Sequence, residues 1–84
     1  MKIELLYFGR PGENLKLSRE TVQAPDALKT LGELLAWLRS RGATWEQELA
    51  EKRVRCAVNQ EFCEPGAAIK DGDEVAVFSP ISGG

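Results

Sequence analysis

The apolar positions of the chain follow two different periods, which divide it into predicted strands and helices. Residues 2–8 read Lys-Ile-Glu-Leu-Leu-Tyr-Phe and residues 74–78 read Glu-Val-Ala-Val-Phe, so both segments are rich in strand formers and apolar on both faces. Strands of this kind are typical of the interior of a sheet. The first and last strands are therefore predicted to be central and to pair with each other in parallel.

The strands predicted between these two have weaker sequence patterns. A strand is expected between residues 15 and 23, where the alternation is partial, and Pro25 ends it. Residues 54–59 alternate well enough to form another strand, and Asn59-Gln60-Glu61 offers the tight turn of a hairpin. Gly9-Arg10-Pro11-Gly12 is predicted to be a loop, because glycine and proline interrupt regular structure.

One apolar stripe has the spacing of a helix, with leucines at i, i+3, i+4 and i+7. These leucines are Leu31, Leu34, Leu35 and Leu38. Thr30 and Glu33 supply a capping box at its start, and Gly42 is expected to close it in the left-handed conformation. A shorter helix is predicted to follow, with Thr44 as its cap and with Trp45 and Leu49 turned inward.

The order of these elements predicts an α+β fold, in which one main helix covers one face of a mixed sheet. That helix forms part of the right-handed connection between the parallel first and last strands. This is the ubiquitin-like β-grasp arrangement. The 84 residues suit a single domain, residues 1–84, from which residues 79–84 are expected to protrude as a flexible C-terminal diglycine tail.

Charge and composition disfavour several classes of function. The 11 basic and 13 acidic side chains give a net charge of -2 without a basic stripe, so no nucleic-acid partner is expected. The sequence lacks the apolar run of about 20 residues that a membrane span needs and the pattern of a signal peptide, which predicts a cytoplasmic protein without a membrane partner. Cys56 and Cys63 are predicted to be free packing thiols, and no metal site is expected.

The end of the sequence, Val-Phe-Ser-Pro-Ile-Ser-Gly-Gly, is the strongest candidate for chemistry. With glycine at about 7% of average usage, a terminal diglycine arises by chance in roughly one chain in 200. Glycine has no Cβ to block approach to the carboxylate, so a narrow active-site channel would admit Gly84. No charged residue occurs from Val75 onward, which suits entry into a partner. The other residues expected to contact that partner are Phe78, Pro80, Ile81, Ser82 and Gly83.

The carboxylate of Gly84 is unreactive until one of its oxygens becomes part of a leaving group. Adenylation by an activating enzyme that uses ATP would provide this activation. The acyl group could then accept sulfur to form a thiocarboxylate, which is a soft nucleophile. The protein would be a reusable group carrier, with a logic comparable to that of lipoamide or biotin.

Several segments together resemble the small, sulfur-carrier subunit of molybdopterin synthase. They are Leu5-Leu6-Tyr7-Phe8-Gly9, the Leu31 to Leu38 helix, Trp45 with Leu49, Ala57-Val58-Asn59-Gln60, Asp71-Gly72-Asp73-Glu74-Val75-Ala76 and the tail. The resemblance implies that a ubiquitin-activating-like adenylyltransferase activates Gly84, which becomes a thiocarboxylate. It further implies that the tail enters the large catalytic subunit and gives its sulfur to cyclic pyranopterin monophosphate. The implied assembly is a heterotetramer whose small subunit is not an enzyme on its own and binds no cofactor.

Other functions remain open at this point. A sulfur carrier of the thiamine pathway would share the fold and the diglycine, and a ubiquitin-like modifier would end in an isopeptide bond to lysine. A plain interaction module would tolerate residues added after Gly84. A free-standing enzyme is disfavoured, because the sequence has no histidine, no phosphate-binding glycine loop and no convincing nucleophile with a base.

Overall fold

The computed structural model describes residues 1–80, and the sheet within them is mixed. Its strands are β1 (Lys2–Phe8), β2 (Arg19–Gln23), β3 (Arg55–Val58), β4 (Glu61–Cys63) and β5 (Glu74–Phe78), in the spatial order β2-β1-β5-β3-β4. The helices are α1 (Arg10–Leu15), α2 (Leu31–Arg39) and α3 (Ala43–Glu48). β1 and β5 pair in parallel and the other neighbours are antiparallel, which confirms the predicted mixed sheet. None of the helices in this range is long and apolar enough to cross a membrane.

The core lies between α2 and one face of the sheet. All four leucines of the predicted stripe are buried, together with Ile3 and Leu5 of β1 and Val75 and Val77 of β5. The capping box forms as predicted, because the Thr30 hydroxyl accepts a hydrogen bond from the Glu33 amide at 3.2 Å. The prediction of a β-grasp sheet covered by one main helix is therefore confirmed.

The prediction of a loop at residues 9–12 is wrong, because this segment leads into α1. Pro11 lies in the first turn of α1, where its missing N–H leaves no helical hydrogen bond unmade. A Cβ on Gly12 would lie 2.7 Å from the carbonyl oxygen of Tyr7, so only glycine lets α1 approach the end of β1 this closely. Proline and glycine here mark a helix start and a close contact.

Two predicted helix boundaries are also wrong. α2 ends at Arg39, and Ser40 keeps a right-handed conformation while its amide and hydroxyl donate to the last carbonyls of the helix. With those carbonyls satisfied, no left-handed residue is needed to close α2. Gly42 is instead the N-cap of α3, and Thr44 lies inside that helix. The two inward contacts hold, since Trp45 meets the Tyr7 ring edge-on at 5.8 Å and Leu49 is buried.

The predicted hairpin joins β3 to β4 through Asn59 and Gln60. Their φ angles of 51° and 72° are the left-handed values that a two-residue primed turn requires. The Asn59 side chain also donates to Asp73 at 2.9 Å and accepts from the Glu74 amide at 3.0 Å. The hairpin is thereby tied to the start of β5.

Candidate functional site

The face of the sheet that points away from α2 carries a group of apolar side chains. Side chains alternate along a strand, so the residues beside each core residue lie on this opposite face. The group, here termed the open apolar face, consists of Leu6, Phe8, Ala57, Phe62, Ala76 and Phe78.

Strand register brings these residues together from four strands. One row runs from Leu6 to Ala76, Ala57 and Phe62. In the next row Phe8 pairs with Phe78. The rings of Phe62 and Phe78 meet edge-on, with centroids 5.7 Å apart. The two alanines therefore form a shallow centre that is bordered by aromatic rings.

The open apolar face is accessible to a partner. Phe8 is 52% exposed and Phe62 is 83% exposed. Large apolar side chains that are exposed together are typical of protein interaction sites. At the other end of the same two strands Glu4 pairs with Glu74, so the apolar character is confined to the end from which the tail leaves.

The first tail residues follow directly from the open apolar face. Phe78 is the last residue of β5 and is partly buried, and Pro80 two residues later is exposed. The Ser79 hydroxyl lies 3.6 Å from the position that a Cβ on Gly9 would occupy, so the start of the tail runs beside the end of β1. Ile81, Ser82, Gly83 and Gly84 lie outside the described residues. The roles predicted for these tail residues remain predictions.

A basic cleft of about 180 Å³ lies beside the start of the tail. It is lined by Arg10, Lys52 and Arg53, together with the first two tail residues. Glu48 also lines the cleft, is buried and accepts a hydrogen bond from the Asn14 amide at 2.9 Å. The three basic side chains and one acidic side chain give the cleft a positive charge, although the net charge of the whole chain is -2. A positive cleft favours a partner whose surface around the tail is acidic.

Sequence reasoning identified Phe78 and missed Phe8 and Phe62. The available signal was the two-sided apolarity of β1 and β5, which predicts the central position that both strands take in the sheet. Only one face is buried, and the other is the open apolar face. Phe62 follows the hairpin turn in a strand of three residues, which is too short to show a periodic pattern.

Comparison with known proteins gives consistent matches over the whole length. A model of the ThiS family matches residues 5–84. The molybdopterin synthase sulfur carrier subunit of Chlamydomonas reinhardtii is 35% identical over 86 residues, which cover 100% of both chains. SAMP1 from Haloferax volcanii has a TM-score of 0.79 at 26% identity, with 100% of both chains covered. A chain of the complex of subunits 1 and 2 of the molybdopterin-converting factor from Helicobacter pylori has a TM-score of 0.68 at 25% identity, again with 100% of both chains covered.

Proposed function

The chain belongs to the ThiS family, and from this membership we propose that it is the sulfur-carrier subunit of a molybdopterin synthase. The observation that carries the proposal is the 35% identity to a molybdopterin synthase sulfur carrier subunit over the full length of both chains. The structural likeness to a subunit of the molybdopterin-converting factor supports it. In this role the chain is a sulfur donor and not a catalyst on its own.

The proposed chemistry takes place at the carboxylate of Gly84. An activating enzyme joins this carboxylate to the AMP portion of ATP and releases pyrophosphate. Hydrogen sulfide ion (HS⁻) then attacks the acyl carbon, AMP leaves and a proton is lost to solvent, which gives a thiocarboxylate whose sulfur is the nucleophile for transfer. Hydrolysis after transfer restores the carboxylate, so the chain is reusable. The proposed acceptor is cyclic pyranopterin monophosphate, and two carrier tails are needed for the two sulfurs of a dithiolene.

The fold supports this role because it holds the start of the tail rigidly. β5 pairs with β1 on one side and with β3 on the other, so Phe78 is fixed at the end of a central strand. Pro80 restricts its own φ, which removes part of the tail's conformational freedom. Residues 79–84 can reach at most about 20 Å when extended, which is enough to enter a channel in a partner.

The open apolar face is proposed as the surface on which the large synthase subunit docks. Phe8 and Phe62 are exposed aromatic side chains, a residue class that often carries the binding energy of interfaces. The ubiquitin-activating-like enzyme is proposed to use the same face, since it must receive the same tail. ATP belongs to that enzyme, and no cofactor is assigned to the carrier itself.

A ubiquitin-like modifier is the main alternative, because SAMP1, the small archaeal modifier protein 1 of Haloferax volcanii, has the same fold. In that case the carboxylate of Gly84 would be joined to lysine amines of other proteins. Covalent conjugates that depend on Gly84 and persist under denaturing, reducing conditions would support this alternative over the carrier proposal.

The proposal is tested with chains of altered length in a reconstituted system of activating enzyme, ATP, sulfide and large subunit. We expect a chain that lacks Gly84, and a chain with one alanine added after it, to retain the circular dichroism spectrum of the parent. Neither should acquire sulfur or support product formation, because the reacting carboxylate is displaced. Gln47→Ala, an exposed change on α3, is the matched control and should be fully active. Full activity of the lengthened chain while its alanine remains attached would contradict the proposal.

A further inference from the structure

Cys56 and Cys63 are direct partners across the antiparallel pair β3–β4. Val58 and Glu61 flank the two-residue turn and form a hydrogen-bonded pair. Hydrogen-bonded and non-hydrogen-bonded pairs alternate along two antiparallel strands. The two cysteines lie two positions further from the turn, so they form a hydrogen-bonded pair as well. The Cα atoms of such pairs are about 5.5 Å apart. Disulfides most often join Cα atoms separated by about 5.5–6 Å. Residues directly opposite each other share one face of the sheet, so the two thiols are close neighbours. The Cβ atoms of a hydrogen-bonded pair lie near the upper end of the range of about 4.5–5.5 Å, farther apart than the separation of about 3.5–4.5 Å in an unstrained disulfide, so the bond would be strained and readily reduced.

The two cysteines differ in their access to solvent. Both are free thiols that line one cleft of about 360 Å³, whose wall also includes Leu31 and Leu35 of α2. Cys56 is only 4% exposed, whereas Cys63 is partly exposed on the edge strand. The Cys63 thiol donates to the carbonyl of Glu61 at 3.2 Å. A small reagent that enters the cleft therefore reaches Cys63 first, with Cys56 directly beside it.

We propose that Cys56 and Cys63 form a reversible intramolecular disulfide by exchange with a small disulfide of the glutathione class. The Cys63 thiolate attacks one sulfur of oxidised glutathione, forms a mixed disulfide and releases one glutathione thiolate. Cys56 then loses its proton to solvent and attacks the Cys63 sulfur, which releases the second glutathione. Two protein thiols are oxidised to one disulfide, and one oxidised glutathione is reduced to two thiols.

The electrostatics of the pair support this order of steps. Burial, followed by the nearby charge of Cys63, raises the pKa of Cys56 to about 11. Since the thiolate is the attacking species, a buried cysteine held in its thiol form is a poor first nucleophile. Once Cys63 carries a glutathione leaving group, proximity favours closure by Cys56.

This modification is separate from the proposed sulfur transfer at Gly84. Cys56 pairs with the core residue Val77, so the disulfide would lie on the face that α2 covers and not on the open apolar face. The bond would close a ring of residues 56–63 and hold the short edge strand β4 against β3. A crosslink restricts the unfolded chain, but strain at this hydrogen-bonded pair offsets that gain, so the expected consequence is a disulfide that thiol reductants open readily.

The test is oxidation of the full chain with excess oxidised glutathione, followed by alkylation and non-reducing digestion with a glutamyl endopeptidase. Cleavage after Glu51, Glu61 and Glu74 places Cys56 in residues 52–61 and Cys63 in residues 62–74, since the bond between Glu64 and Pro65 is resistant. We expect these two peptides to remain joined. The mass of the intact protein should fall by that of two hydrogen atoms, and a thiol reductant should restore the original mass.

Two single variants identify the order of the steps. Cys56→Ser should accumulate one glutathione on Cys63, and Cys63→Ser should react much more slowly because only the buried thiol remains. The proposal would be overturned if the oxidised parent protein carried glutathione on both cysteines, or formed only dimers, with no linked peptide from one chain. Activity at Gly84 should persist in a Cys56→Ala, Cys63→Ala double variant, so failure of the disulfide would leave the carrier proposal intact.

Discussion

At the scale of single residues, Asp73 connects the hairpin turn to the strand that leads to the tail. Its side chain is buried, with 4% of its surface exposed. The carboxylate accepts hydrogen bonds from the Asn59 side chain at 2.9 Å and from the Lys70 amide at 2.8 Å. The Lys70 ammonium group adds a third contact at 3.3 Å. A buried carboxylate with this many donors fixes the start of β5.

These donors make the contribution of Asp73 to stability depend on pH. Burial opposes the ionised form, but the hydrogen bonds from Asn59 and Lys70 outweigh it and hold the pKa of Asp73 below its ordinary value. Because the folded pKa is the lower one, the stabilisation is complete above the unfolded pKa of about 3.9 and is lost as the pH falls through the folded pKa. Asp73→Asn should lower the free energy of unfolding at neutral pH by about 1–3 kcal/mol.

Urea denaturation of the parent and of Asp73→Asn checks this prediction. The difference between them should be larger near neutral pH than at an acidic pH below the folded pKa of Asp73, where the parent also becomes protonated. Glu51→Gln removes an exposed carboxylate and serves as the control, with a change within about 0.5 kcal/mol. A destabilisation by Asp73→Asn that is the same at both pH values would contradict the assignment.

At the scale of elements, sequence patterns predicted the helices and turns whose structure depends on a single segment of the chain. The leucine spacing and the capping box located α2, and the Asn59-Gln60 pair located the hairpin turn. Patterns failed where a distant segment decides the structure. Whether the second face of β1 and β5 is covered depends on what else packs there, and two-sided apolarity cannot distinguish a core strand from a docking surface. α1 was missed because its glycine serves a contact with β1, which local sequence does not reveal.

That contact makes Gly12 and Gly66 a matched pair of test positions. Gly12→Ala would force a Cβ to within 2.7 Å of the Tyr7 carbonyl, whereas a Cβ on Gly66 meets nothing within 4 Å. We expect Gly12→Ala to lower the free energy of unfolding by about 1–3 kcal/mol through overpacking. Gly66→Ala should be neutral or stabilise by up to about 1 kcal/mol, because alanine restricts the unfolded chain. Equal effects of the two changes in thermal denaturation would refute the role assigned to Gly12.

At the scale of the whole molecule, the proposed function requires one surface to serve two successive steps. The open apolar face and the start of the tail lie at the same end of the sheet, so we expect a protein that takes the tail to cover the same aromatic side chains. The activating enzyme and the large subunit are therefore expected to exclude each other. Phe78 and Ile81 are predicted to contact both partners, with Ile81 outside the described residues.

Calorimetric competition tests this exclusion. A carrier saturated with the large subunit should bind the activating enzyme only as the first partner leaves. Phe62→Ala should weaken both interactions by about tenfold or more, because exposed aromatic residues at interfaces often contribute above about 1.4 kcal/mol. Its free energy of unfolding should fall by only about 0.5–1.5 kcal/mol, because Phe62 is 83% exposed and its main contact is the edge-on ring of Phe78. Gln47→Ala is the control for both measurements. A ternary complex of one carrier with both partners would contradict the shared surface.

The most direct test of the sulfur-carrier proposal is the intact mass of the protein isolated from cells that make molybdopterin. Replacement of one carboxylate oxygen of Gly84 by sulfur adds a defined mass increment, and fragmentation assigns it to the terminus. We predict that a fraction of the chains carries this increment, and that the fraction falls to zero when the activating enzyme is deleted. Chains found only as the unmodified carboxylate, in cells that retain the activating enzyme but lack the large subunit and so cannot discharge the carrier, would contradict the proposal.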